Sequence, residues 1–213
     1  GWDSGIEVSV VLRLDPSRAR AMGDRVVRTA RSFGIDMQGL DLLRRAHVLA
    51  MTPREERVAD DHAPPYLHPG RTALILMEEG PLHDPRYVAA AMLVDTVRSD
   101  LEPSPTRVLG ELGEEIAGIA RSVPRLQGGE SDALETLVSL EGKIAAMALA
   151  EHLDQIRHAH IGTGLEERSR LFRLTETVYL PVAQRTSRGM ARRFEYVCRT
   201  FPRRFLSGGS PPG

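Results

Sequence analysis

A chain of 213 residues, 41% apolar and 27% charged, is long enough to bury a sizeable core and ordinary enough in composition for a globular protein. Its formal net charge of −1 gives no global field that would gather nucleic acid or a membrane surface. The single cysteine, Cys198, excludes an intrachain disulfide and a cysteine-based zinc site, which fits a reducing interior. No run approaches the roughly 18 apolar residues of a membrane span and no signal-peptide pattern opens the chain, so cytoplasm is the expected location. Lys143 is the only lysine, and the arginine bias that results is explained most simply by GC-rich codons.

Ile6 to Leu14 alternates weakly and could form one short strand. Asp15-Pro16 reads as an N-cap followed by proline at the first helical position, and the helix it starts should stop at Gly34. A second helix is expected from about Gln38 to Met51. TPREERVADDHAPP, residues 52–65, reads mostly as loop, with room for one helical turn at Pro53–Arg57. His68 to Glu79 suits a helix that ends at Gly80. Asp84-Pro85 caps another that should reach about Val97. Short helices are expected after Ser104-Pro105 and over Gly113–Val123. Ser131 to His160 reads as the longest helix, closed by Gly162 and Gly164. Leu165 to Phe205 is mostly helical, with breaks near Pro181 and at Ser187-Arg188-Gly189. The tail SGGSPPG, 207–213, reads as disordered. The reading is therefore all-α, a single unit over residues 1–206.

Several segments form an ordered set. Pro65-Tyr66-Leu67-His68-Pro69 comes first, then Ala89 to Val97, AAAMLVDTV. Leu112-Gly113-Glu114-Glu115-Ile116-Ala117 follows, ending in Val123-Pro124-Arg125-Leu126. Leu149 to Arg157, LAEHLDQIR, comes next, and then Thr175, Tyr179, Pro181, Ala183 and Arg185. Over roughly residues 40–185 this set resembles the HD-domain hydrolases of the RelA/SpoT group, which remove pyrophosphate from (p)ppGpp. The resemblance implies an HD-domain-like helical bundle. It also implies a divalent metal, usually manganese, held by a His, a His-Asp pair and a later Asp, donors that suit such an ion. A Glu-Asp pair just after the His-Asp helps activate the attacking water.

Carried over by position, the resemblance puts the first histidine at His68 and the paired aspartate at Asp95. The paired histidine becomes Val94, and the later aspartate becomes Glu151. Arg98 and Ser99 replace the activating pair. The arginine that contacts the base falls near Asp60, with the sign reversed. Three ligands, His68, Asp95 and Glu151, could hold manganese weakly, while no residue stands out as catalytic. Arg98, Asp154, Gln155 and Arg157 are the candidates for the nucleotide pocket. Arg98 lies within i,i+3 reach of Asp95. Two readings stay open: a guanidinium that replaces the metal beside a buried Asp95, or a surface-facing pair in water.

Other motifs compete. His83-Asp84 spells the HD pair literally but sits in a loop, where Asp84 better serves as a cap. His158 and His160 are two residues apart and do not share a helical face, so a metal site there is disfavoured. His152 next to Glu151 could compensate in the pocket. Ser187 to Leu206 interleaves arginines with Phe194, Tyr196, Phe201 and Phe205. It suits a protein partner, or an amphipathic helix with a packed aromatic face; nucleic acid is unlikely as a partner and a membrane is not expected. The functional expectation is a catalytically degenerate HD domain that senses a guanine nucleotide such as (p)ppGpp, regulates or scaffolds. The alternatives are a diverged metal-dependent nucleotide phosphohydrolase, or an unrelated helical interaction protein.

Overall fold

The structure, a computed structural model, describes residues 16–57, 66–98 and 105–207. Among these residues there is no strand, and the proposed strand over 6–14 and the tail beyond Ser207 lie outside them. No helix described is long and apolar enough to cross a membrane.

The N-terminal half is built from α1 (Pro16–Ser32), α2 (Met37–Arg57), α3 (His68–Glu78), α4 (Pro85–Met92) and α5 (Val94–Arg98). Then come α6 (Pro105–Leu112), α7 (Glu114–Arg121), α8 (Glu130–Val138) and α9 (Gly142–His158). The chain closes with α10 (Leu165–Leu174), α11 (Leu180–Thr186) and α12 (Arg188–Phe201). Helix α3 is the central rod and packs on α1, α4 and α9. Its sequence HPGRTALILME is apolar almost all round, which is what a helix buried on every side requires. Burial of Leu74, Ile75, Leu76 and Met77 removes roughly 1.5–3 kcal/mol worth of apolar surface from water per side chain. Alanines 145, 146, 148 and 150 on α9 are all buried, and their small size lets α9 lie close to its neighbours.

Punctuation decides most boundaries. Gly34 ends α1 with φ 85°, and Gly162 takes φ 76° in the turn between α9 and α10, a backbone region that side chains disfavour. Asp84 caps α4 by accepting from the Arg86 amide at 3.1 Å. Three expectations need correction. The helix begun by Pro85 does not run unbroken to Val97, because Leu93 turns the chain before α5. The stretch from Ser131 to His160 is two helices, broken at residues 139–141. Pro181 does not break its segment: a π-helical turn over Thr175–Tyr179 leads directly into α11. The wider turn absorbs the missing proline N–H, with Leu180 N bonding to Thr175 O.

At the C-terminal end of α3, α12 docks by its own N-terminus. Ser187 Oγ donates to Gly80 O at 3.0 Å while accepting from Met190 N. A Cβ on Gly189 would lie 2.3 Å from Glu79 O, so only glycine permits this approach.

Candidate metal centre and cleft

His68, Asp95 and Glu151 come from three helices, α3, α5 and α9, and each offers a ligating atom within 4.8 Å of the others. His68 Nε2 lies 3.9 Å from Asp95 Oδ2. The other ring nitrogen, Nδ1, donates to Asp154 Oδ2 at 2.6 Å. A carboxylate behind a histidine fixes its tautomer and leaves the far nitrogen for a cation. Burial pulls the His68 imidazole down, but the hydrogen bond and charge of Asp154, helped by Asp95 and Glu151, raise it above its ordinary value.

Asp154 is 2% exposed and organises this corner. Besides His68, it accepts from Arg71 Nε at 2.7 Å, and His158 Nδ1 lies 3.2 Å from its Oδ1. Burial alone would raise its carboxyl, yet His158, His68 and Arg71 hold it far below the usual carboxylate range. Glu151 and Asp154 share a face of α9, one turn apart, so one helix supplies both a candidate ligand and the residue that orients another candidate, His68. Glu151 is pushed up by burial and by the neighbouring charge of Asp95, against the pull of Arg98 and His68. Two carboxyls this close, with the Arg98 guanidinium on Glu151, are an arrangement that a divalent cation would relieve.

Arg98 does not pair with Asp95 as the i,i+3 spacing suggested. Its Nη1 reaches Glu151 Oε1 at 3.3 Å, and its Nη2 donates to Val123 O at 2.8 Å and Pro124 O at 2.9 Å. Those carbonyls follow the C-terminus of α7, where a cation is favoured. Asp95 is not buried either: its side chain is 45% exposed and lines the cleft. Val94, at the place of the paired histidine, is 2% exposed within the apolar core. Ser99 and Asp60 lie outside the described residues.

A cleft of about 460 Å³ opens beside these three candidate ligands, walled by α9, the turn after it and Glu167 and Leu171 of α10. Gln155, His158, Ile161, Thr163, Glu167 and Leu171 line it. A second, more polar cleft of about 240 Å³ holds Arg98, His152 and Tyr179 and shares Asp95, Glu151 and Gln155 with the first. The pocket candidates therefore divide: Asp154 and Gln155 line the large cleft, and Arg98 lines the smaller one. Arg157 lines neither cleft, because Glu79 holds it with three contacts of 3.1–3.2 Å.

The remaining histidines have other partners. His152 stacks on Tyr179 at 3.6 Å and faces Thr175 Oγ1 at 2.8 Å. The Thr175 hydroxyl proton goes to Leu171 O, so Thr175 accepts from the His152 Nε2–H. Burial, with Arg170 nearby, pushes His152 down to about 3, and it sits neutral in the core. His160 stacks on Phe205 and His83 on Phe33, which leaves the literal HD pair as a stacked ring and a helix cap. Phe194 and Phe201 of the basic-aromatic segment are buried, while Arg192, Arg193 and Arg199 face solvent, as does Tyr196 at 51% exposure. Sequence reasoning missed Arg71, His158 and Glu167 as parts of this site. Arg71 and His158 carried signals, i,i+3 spacing from His68 and i,i+4 spacing from Asp154.

No family model matches the chain, and no curated protein matches it. Among solved structures, it is similar to a metazoan ortholog of SpoT, described as hydrolysing ppGpp and playing a role in starvation responses. The TM-score is 0.61 at 21% identity, over 81% of this chain and 98% of that one. At that identity the likeness is one of fold: an all-helical HD-domain bundle.

Proposed function

We propose that this chain is a catalytically degenerate HD domain of the RelA/SpoT type, a module that binds a divalent cation and a nucleotide and turns the nucleotide over slowly or not at all. The observation that carries this reading is the convergence of His68, Asp95 and Glu151, with Arg98 bound to Glu151. The donor set of one imidazole and two carboxylates fits manganese or a similar ion, and Asp154 behind His68 completes the support such sites use. When bound, the cation would neutralise the paired carboxylates and polarise a phosphoryl oxygen. His68, Asp95 and Glu151 would hold it. Gln155 and the apolar wall at Ile161 and Leu171 would orient the organic part of a ligand and exclude water.

What is missing is proton transfer. Arg98 stands where the resemblance places the first activating acid, and a guanidinium cannot accept a proton at neutral pH. Loss of general acid–base help typically costs about 10²- to 10⁴-fold. The second reading, a diverged metal-dependent phosphohydrolase, is favoured by the well-built support of His68 by Asp154, Arg71 and His158. One experiment separates them. The purified chain is titrated with manganese by calorimetry, and then assayed with manganese for phosphate or pyrophosphate release from ppGpp and guanosine monophosphate. Manganese binding that His68→Ala removes, without release above the protein-free rate, is expected. Metal-dependent release abolished by His68→Ala would establish the hydrolase instead.

A further inference from the structure

We propose that the large cleft takes a phosphomonoester, of the size and charge of a nucleoside monophosphate, and discriminates against nucleotides that carry two pyrophosphate groups. This rests on the metal-binding reading of His68, Asp95 and Glu151. The argument is one of charge. Asp95, Glu151, Asp154 and Glu167 line the cleft, and among the described residues neither lysine nor arginine does. Its basic groups are two imidazoles, His68 and His158, and both already face Asp154. Arg170, which holds Glu167 at 2.6 Å, lines a separate groove.

The smaller cleft adds one guanidinium, Arg98, already committed to Glu151 and two carbonyls. One divalent cation and Arg98, set against the carboxylates of Asp95 and Glu151, leave a surplus of about one positive charge. A phosphomonoester brings about −1.5 to −2 at neutral pH, so a single phosphoryl group is nearly balanced there. Each further phosphoryl group would enter a field of carboxylates where, among the described residues, no lysine or arginine lines the cleft to receive it. The rest of the wall, Ala159, Ile161, Gly162 and Leu171, suits an uncharged ring.

The test begins with manganese titrated into the full chain by calorimetry. No binding at this step would overturn the metal reading, and this proposal with it. With free manganese then held constant, guanosine monophosphate and ppGpp are titrated at two salt concentrations. Guanosine monophosphate should bind at least about ten-fold more tightly, and the gap should narrow as salt screens the carboxylates. Glu167 is half-exposed in the first turn of α10, so Glu167→Lys is expected to fold. It should raise ppGpp affinity about ten-fold and change guanosine monophosphate affinity less. Metal binding together with equal or tighter binding of ppGpp would overturn this proposal and leave the metal reading standing. So would failure of both nucleotides to bind the metal-loaded protein, or a preference that Glu167→Lys does not move.

Discussion

Asp154→Asn is the most informative single change. The side chain keeps its shape and loses its charge in a place that is 2% exposed. Asparagine presents one oxygen where aspartate presents two, yet Asp154 accepts from His68 through Oδ2 and from Arg71 through Oδ1. One of the two bonds must go. If the amide nitrogen faces His68, the imidazole must place its proton on Nε2, and the nitrogen meant for the metal is lost. If it faces Arg71, the guanidinium loses its acceptor at Asp154, and in either orientation the Asp154 charge is gone. Breaking a buried ion pair costs about 3–5 kcal/mol. Arg71 and His68 keep 20% and 15% exposure, so water screens part of this and the low end, about 3 kcal/mol, applies. Loss of a group that orients a metal-binding histidine typically costs about 10- to 100-fold in affinity. Urea unfolding should show a lower midpoint for Asp154→Asn, and calorimetry a weaker manganese site. An unchanged midpoint together with a dissociation constant within about two-fold of the parent would refute the claim that Asp154 holds His68 and Arg71 in place.

Three further outcomes follow from the geometry. Arg98→Gln frees Glu151 from its guanidinium and should tighten manganese binding by about ten-fold or more, since a like charge beside the ion is removed; weaker binding in calorimetry would mean that Arg98 helps to shape the site. Gly189→Ala places a Cβ 2.3 Å from Glu79 O and should cost about 1–3 kcal/mol in urea unfolding, as overpacking against backbone does. Asp84→Ala should cost about 1 kcal/mol through loss of the α4 cap. The hydrogen bond from Arg86 holds Asp84 below the usual carboxylate range, so its contribution is present above that range and lost as pH falls through the depressed value. The gap between parent and Asp84→Ala should therefore shrink in acid, and a gap that widens there would contradict the sign.

The sequence shows the fold most clearly where single residues force a boundary. Gly34 and the Asp84-Pro85 pair mark helix ends because backbone conformation or a missing N–H leaves little choice. The break between α8 and α9 was harder to see, since apolar spacing continues on both sides of Ser139-Leu140-Glu141. Gly142 was the only local sign. Proline at 181 misled for the opposite reason: a π turn can absorb what an α-helix cannot. In the site, His68, Asp95 and Glu151 were each legible by position, but their partners were not. Arg98 and Glu151 are 53 residues apart, and His68 and Asp154 are 86 apart. Helical spacing only ranks neighbours on one helix, so it proposed Asp95 for Arg98. The carbonyls after α7 and the carboxylate on α9 decided otherwise.

The bond between His68 and Asp154 joins the first residue of α3 to the last third of α9, two helices that also pack along their length. It works as a latch at the open end of that pair. Glu151 lies one turn back on α9, so sliding or fraying of α9 cannot displace one candidate ligand and leave the other supported. Amide hydrogens from Glu151 to Arg157 should exchange in step with those of the first turn of α3, and a bound cation should slow both sets together.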